Sequence, residues 1–233
     1  EMLSQVLFGE KYIILDSAGH WNKIKTCFDD YSGWIDIDHL HQSADTDGSR
    51  GYVITRSLPC NKPDKTRLVL EPGCEIYYPD FEKRTFSVAG KTYTAGDEMN
   101  ESIIKNDLSL PDTAMRFMNS PYIWGGRIPS GIDCSGFTQL VYKLLGIAIP
   151  RDSWQQAEKG ETIGFLEESR AGDLAFFDNE RGTITHVGLI LARGLVIHSS
   201  GRVKIDIIDQ QGIFRRDTGK YSHHLRLLKR ILH

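Results

Sequence analysis

Apolar positions in this chain keep one kind of period up to about residue 107 and another kind after it. In the first stretch, short runs rich in β-branched and aromatic residues are cut by Gly and Asp. "QVLFGEKYIILD" breaks at a Gly turn. "HWNKIKTCF" alternates, with Trp21, Ile24 and Phe28 as its apolar candidates, and "DDYSGWIDIDHL" reads as a turn and then a short strand. Close-spaced short strands of this kind predict a small barrel. "YVITRSLP", "RLVLEPGCEIYYPD" and "RTFSVAGKTYTA" predict a second β-rich unit that repeats the first only loosely. Between them "HQSADTDGSRG" is polar and turn-rich, as a linker is.

Beyond residue 107 helical spacing comes first. "SLPDTAMRFMNS" places Pro111 in a first turn and Ala114, Phe117 and Met118 on one face. "YIWGGRIPSGID" is a glycine-rich loop. In "CSGFTQLVYKLLG", Phe137, Leu140, Val141, Leu144 and Leu145 follow the i, i+3, i+4, i+7, i+8 pattern, with Gly146 as the stop and Pro150 just beyond. Alternation returns in "GDLAFFD", "THVGLILARG", "LVIHSSG" and "VKIDIID". Helices followed by strands predict an α+β domain with an antiparallel sheet.

Composition narrows the partners. Of 233 residues, 40% are hydrophobic and 25% charged, as in ordinary globular proteins. A net charge of -3 lacks the basic excess of a nucleic-acid binder. No apolar run reaches the ~18 residues that span a bilayer. The chain starts at Glu1, and "EMLSQVLFGE" lacks the parts of a signal peptide, so removal of an upstream segment, with any targeting signal, is the expectation.

Four cysteines without a CxxC pair argue against a cysteine zinc site. Cys27, Cys60 and Cys74 read as small buried thiols, with a Cys60–Cys74 disulfide as the alternative. Cys134 differs because it opens the best helix behind Gly131 and Asp133. Unpaired N–H groups and partial positive charge at a helix start favour a thiolate and can hold an oxyanion. The plainer reading is a packed thiol behind a capping aspartate. His20, His39, His41, His223, His224 and His233 lie among polar residues and read as surface. His186 opens one apolar strand and His198 ends the next, so a hairpin would bring them together at one end of a sheet. A thiol needs such an imidazole, and the imidazole needs an orienting partner. A metal site from this pair has no evident third ligand.

The ordered segments "YIWGG", "DCSGF", "GDLAFF", "HVGLI" and "VIHSS", with Cys134, His186 and His198 spaced by 52 and 12 residues, resemble the NlpC/P60 family of cysteine peptidases. The resemblance covers roughly residues 107–233. "YSGWIDIDHL" resembles the end of a bacterial SH3 (SH3b) module. The expected organisation is an SH3b domain at 1–42, an SH3b-like domain at 43–105 and a catalytic domain at 106–233. The fold it implies is α+β: a papain-like domain preceded by two small SH3-like β-barrels. It also implies Cys134 as nucleophile, His186 as base and His198 as orienting residue, with no metal or organic cofactor.

Paired SH3b modules before such a domain resemble the γ-D-glutamyl-L-diamino acid endopeptidases, also called dipeptidyl-peptidase VI. That subgroup cuts murein peptides with a free N-terminal L-Ala, releasing L-Ala-D-Glu. The resemblance places Tyr122, Trp124, Asp133, Ser135, Asp152 and Ser153 on the cleft, with Asp152, Tyr31 and Glu1 to receive the amine. A cap at Asp152 and barrel core at Tyr31 and Trp34 are the plainer readings of those residues. A buried ammonium needs such paired charge, so an acylated peptide would be rejected. The implied partners are a murein peptide and peptidoglycan. The implied compartment is the bacterial periplasm or cell envelope, with the cytoplasm as the alternative. The rivals are a general peptidoglycan endopeptidase or amidase anchored by SH3b modules, a catalytically silent wall-binding protein, and a thiol-dependent acyltransferase.

Overall fold

The computed structural model describes residues 1–40, 49, 51–103 and 109–232. His41, His233 and nearly all of the expected linker lie outside them. The chain divides into two compact units. One is Gln5–Asn106, and the other joins Glu1–Ser4 to Asp107–His233.

The Gln5–Asn106 unit carries two antiparallel sheets. Strands β1 (Tyr12–Ala18), β2 (Trp21–Thr26) and β3 (Ser32–Asp36) pair in that order. The inward row of β2 is Asn22, Ile24 and Thr26. Trp21 is therefore not core, and it shares the outward face with Lys23 and Lys25. Trp34 pairs with Lys23 and is exposed on that same face. Tyr31, just before β3, is half-buried, and its N–H donates to Thr26 Oγ1 at 3.1 Å. Cys27 is exposed, a correction to its expected burial, because it lies in the turn where the chain leaves β2.

The second sheet holds β4 (Tyr52–Val53), β5 (Leu58–Asn61), β6 (Arg67–Leu70), β7 (Glu75–Asp80), β8 (Thr85–Val88) and β9 (Lys91–Ala95), in the order β4-β7-β8-β9-β5-β6. Helix α1 (Met99–Ile103) follows. Ile54, Leu58, Leu70, Ile76 and Phe86 are fully buried here. Cys60 and Cys74 are buried, free thiols, so the disulfide alternative does not hold.

In the other unit the first described helix is α2 (Leu110–Met115). Its Ser109 cap accepts from the Asp112 N–H, and Pro111 lies in the first turn. A hairpin of β10 (Arg127–Ile128) and β11 (Gly131–Ile132) leads into α3 (Cys134–Leu144), then α4 (Ser153–Gln156). All eleven residues of α3 are buried. Its predicted stripe faces the core, and its polar side chains find internal partners: Thr138 donates to Gln156 Oε1 at 2.8 Å, and Gln139 to the Ile149 carbonyl at 3.1 Å.

The remaining strands are β12 (Glu161–Ile163), β13 (Leu174–Asp178), β14 (Ile184–Ala192), β15 (Leu195–Ser200), β16 (Arg202–Ile208), β17 (Gly212–Arg215) and β18 (Lys220–Arg230). β13 to β17 pair in sequence order. β18 pairs with both β13 and β17, which closes a six-stranded barrel, and β12 adds to β18 outside the ring. Ala175, Phe177, Ile190, Val196, Ile208, Ile213 and Leu228 pack into one cluster drawn from every strand of the ring. Side chains alternate along a strand, so Val196 inside puts His198 inside as well, while Ile197 and Ser199 face out. Ser199 Oγ donates to the Ile132 carbonyl at 2.8 Å, which ties that outer face to the chain entering α3.

Candidate active site

The site forms where the start of α3 meets one end of the barrel. Asp133 is the helix cap, with φ -87° and ψ 179°. Its Oδ1 accepts from the Gly136 N–H at 2.7 Å, and its Oδ2 from the Gly125 N–H at 2.8 Å. One carboxylate thus fastens the first helical turn to the glycine-rich loop. Gly136 has to be glycine here, since a Cβ would strike the Gly126 carbonyl oxygen.

Arg151, a residue the sequence reading passed over, completes this frame. Its side chain is 1% exposed. Nη1 donates to Asp133 Oδ1 at 3.0 Å and to Ser135 Oγ at 2.8 Å, and Nη2 to Asp133 Oδ2 at 2.6 Å. Nε donates to Ser4 Oγ at 3.1 Å. Both Asp133 oxygens and the Ser135 hydroxyl are therefore engaged by the protein itself. The signal was present in "RDS", but the neighbouring aspartate drew the attention. A planar guanidinium that meets a carboxylate with two parallel bonds is the usual partner for a buried aspartate.

Cys134 is buried at the head of α3. The backbone N–H groups of Val187 and Ser135 act on its sulfur in the direction of the thiolate. The expectation of a lowered thiol pKa does not hold. Burial, then the Asp133 carboxylate, push it up to about 12, against the opposite pull of the two N–H groups and Arg151. The resting group is a thiol that needs a base.

The candidate base is adjacent in sequence to one of those N–H groups. His186 is buried on β14, and its Nε2 lies 2.8 Å from Nδ1 of His198 on β15. The expected meeting of these two residues is observed. Burial holds His186 well below the usual imidazole range, with help from His198, His223 and Lys204. At neutral pH it is a neutral imidazole. Gly188, two residues along β14, makes room for this contact. A Cβ there would lie 2.6 Å from Val196 Cγ2 and 3.0 Å from His198 Cβ.

His223 corrects its reading as a surface residue. Its ring stacks on His186 with centroids 4.1 Å apart and planes 25° from parallel. Burial, then His198 and Lys204, bring it down to about 4. The sequence hid this role because β18 returns to the barrel from a polar stretch, and the pairing Ile213 with His223 brings the imidazole in. His20, His39 and His224 are exposed.

The other expected cleft residues spread more widely. Tyr122 is half-buried, and burial followed by Cys134 and Asp133 pushes its hydroxyl up to about 12, so it lies in the field of the thiol. Trp124 is exposed. Asp152 occupies the N-cap position of α4, where its own N–H donates to Gln155 Oε1 at 3.2 Å, and Ser153 is the first residue of that helix. Glu1 is exposed in the segment that joins the catalytic unit, whereas Tyr31 belongs to the other unit. Among the described residues, no group of three or more His, Cys, Asp or Glu side chains is placed to hold a metal ion, and no helix is long and apolar enough to cross a membrane.

Comparison with known proteins agrees with this geometry. Residues 119–221 match the NlpC/P60 family, and residues 1–40 match the bacterial dipeptidyl-peptidase SH3 domain. Two curated relatives named gamma-D-glutamyl-L-lysine dipeptidyl-peptidase, from Bacillus cereus and Bacillus subtilis, are 28% and 27% identical. Each alignment covers 84% of this chain, and 66% and 71% of the relatives, so the chain spans about two thirds of their length. The "Probable endopeptidase p60" of Listeria monocytogenes is 37% identical over 42% of this chain and 20% of its own. The crystal structure of an NlpC/P60 family protein from Bacillus cereus shares the fold, with a TM-score of 0.81, 23% identity, and coverage of 99% of this chain and 82% of that one. The NlpC/P60 match at residues 119–221 thus follows a match to the bacterial dipeptidyl-peptidase SH3 domain at residues 1–40.

Proposed function

We propose that this protein is a cysteine endopeptidase that hydrolyses the γ-D-Glu–diamino acid bond of murein peptides with a free N-terminal L-Ala. The observation that carries the reading is the hydrogen-bonded pair His186–His198 on the barrel, beside a buried thiol at a helix start. The relatives named for γ-D-glutamyl-L-lysine dipeptides support the substrate class.

In the proposed reaction Cys134 Sγ attacks the γ-carbonyl carbon while its proton passes to His186. The tetrahedral oxyanion is held by the Cys134 N–H, with the Tyr122 hydroxyl beside it. Collapse breaks the C–N bond, and His186 returns the proton to the leaving amine. Water then attacks the thioester, His186 again acts as base, and L-Ala-D-Glu leaves with the carboxylate. A raised thiol and a lowered imidazole mean that the proton moves during attack, not before it. Trp124, Ser153, Asp133 and Ser135 belong to the proposed cleft, the last two as the frame that Arg151 fixes. Asp152, with Glu1 and Tyr31, is proposed to meet the substrate ammonium. The division at 1–42, 43–105 and 106–233, with two SH3-like barrels, belongs to the same proposal. So does the cell envelope as compartment, with the cytoplasm as the alternative.

The test compares L-Ala-γ-D-Glu-diaminopimelate with its N-acetylated form by mass spectrometry. Cleavage of the free peptide alone supports the reading. Equal cleavage of both removes the amine-recognition role and favours the general endopeptidase. Binding to insoluble peptidoglycan with no cleavage of either peptide favours the silent wall-binding protein.

A further inference from the structure

The His186–His198 pair does not end at His198. On the adjacent strand β16, Asp206 Oδ2 lies 3.0 Å from His198 Nε2 and 3.1 Å from Lys204 Nζ. The register explains the meeting. His198 pairs with Lys204 and Val196 with Asp206, so Asp206 sits diagonally across from His198 on the same barrel face. Alternation in "VKIDIID" puts Lys204 and Asp206 on that face together. The Asp206 side chain is 20% exposed and Lys204 23%, while His198 is 0% exposed. The line runs from a half-buried ion pair at the rim to a buried imidazole, and on to the imidazole beside the thiol.

The chemistry of these groups fixes the direction of every hydrogen bond in the line. An ionised carboxylate only accepts, and a neutral imidazole has one donor and one acceptor nitrogen. Asp206 is ionised: burial pushes its carboxyl up, but the bonds from His198 and Lys204 outweigh that and leave it below the usual range. His198 Nε2 therefore carries a proton, and its Nδ1 has the lone pair. That lone pair faces His186 Nε2, which must then be the protonated nitrogen of its ring. The basic lone pair of His186 is left on Nδ1. Without an acceptor at Asp206, His198 can hold its proton on either nitrogen. In the wrong form it donates to His186 Nε2 and forces the His186 proton onto Nδ1, where the base should be. His223, stacked on the face of His186, opposes rotation of that ring but makes no bond that would choose its tautomer.

We propose that Asp206, braced by Lys204, is a positioning residue of this site that sets the tautomer of His198 and, through it, leaves Nδ1 of His186 as the base for Cys134. Asp206 does not touch the reacting atoms. It acts two hydrogen bonds away, as the outer partners of catalytic and metal-bound imidazoles do. The inference rests on the peptidase reading only where turnover is the readout. The tautomers and the reactivity of the thiol are properties of the protein without substrate.

The experiment has three readouts on the full chain: long-range ¹H–¹⁵N spectra of the histidine rings, the rate at which iodoacetamide alkylates Cys134, and kcat and KM on the free-amine peptide. Peptide mapping separates Cys134 from Cys27, Cys60 and Cys74. The wild type is expected to show Nε2–H tautomers at both His198 and His186. In Asp206→Ala the His198 signals move to a mixed tautomer, Cys134 alkylation at neutral pH slows, and kcat falls roughly 10- to 100-fold with KM little changed. Asp206→Asn keeps an acceptor oxygen at the position shared by His198 and Lys204, so it retains the tautomer and more of the rate than Asp206→Ala. A proton on Nδ1 of His198 in the wild type overturns the proposal without recourse to any variant. So does an Asp206→Ala protein with unchanged tautomers and an unchanged alkylation rate. If the tautomers and alkylation respond as expected but the wild type cuts neither peptide, the substrate reading fails and the role of Asp206 stands.

Discussion

Two buried polar clusters meet at the thiol, and they are built on opposite principles. At the start of α3 the groups are fully charged: Asp133 and Arg151 face each other with two short bonds, and backbone N–H groups fill the remaining carboxylate positions. At the end of the barrel, two imidazoles are buried and a third is half-buried, and all are driven toward the neutral form. The first cluster is held by directed hydrogen bonds and serves as a frame. The second is a chain of neutral groups in which a proton can be accepted and returned. A protein interior can hold a charge rigidly by pairing it, or keep a group reactive by denying it charge, and this site uses both within a few residues.

The largest expected effect comes from removing the atom the two clusters share. Cys134→Ala should lower turnover at least about 10⁴-fold, as removal of a nucleophile does elsewhere, with an unchanged melting transition. Residual cleavage near the wild-type rate with purified peptide would rule out Cys134 as the nucleophile.

Breaking the charged cluster should affect stability first. Arg151→Met leaves Asp133 buried and unpaired, which costs about 3–5 kcal/mol. Urea titration measures it, and the double change with Asp133→Asn should recover part of the loss. A small cost for the single change would mean that water enters and replaces the guanidinium.

The imidazole cluster should respond to pH. His186, His198 and His223 have folded-state values below their ordinary 6.5. Below about pH 6.5 the unfolded chain binds more protons than the folded one, so stability is present above that pH and declines as the pH falls. Thermal unfolding between pH 7.5 and 5 should show this fall. For the same reason, His186 stays neutral somewhat below pH 6.5, and as the proposed base it should put the acid limb of kcat/KM below that value.

The smallest effect is expected at His223. His223→Phe keeps a ring against His186 and removes one titrating group. Activity should stay within a few-fold of wild type, and the loss of stability toward pH 5 should become shallower. A loss of activity as large as that of Asp206→Ala would give His223 a proton-handling role.

Much of this was legible before any coordinates. Helix α3 announced itself because a buried helix must repeat its apolar residues every three to four positions, and Phe137, Leu140, Val141 and Leu144 do. The pairing of His186 with His198 followed from two alternating strands and a short turn. β13 to β16 were readable for the same reason. β17 and β18 were not, since "GIFRRDTGKYSHHLRLLKR" mixes charge with apolar residues on strands that are only half-buried. Trp21 and Trp34 misled because an aromatic residue in a strand says nothing by itself about which face it occupies.

The sequence by itself determined the local chemistry: a capped helix with a thiol at its head, two histidines at one end of a hairpin, and a glycine-rich loop ahead of the helix. These depend on neighbours a few residues apart, whose geometry the chain's own periods impose. Only the tertiary structure decided what those groups would be worth. Closure of the barrel by β18 brought His223 onto His186, the register of β15 on β16 placed Asp206 against His198, and the chain between α3 and α4 set Arg151 against Asp133. Protonation depends on burial and on charges far away in sequence. That is why the thiol, expected to be acidic at a helix start, is instead held in its neutral form beside a neutral base.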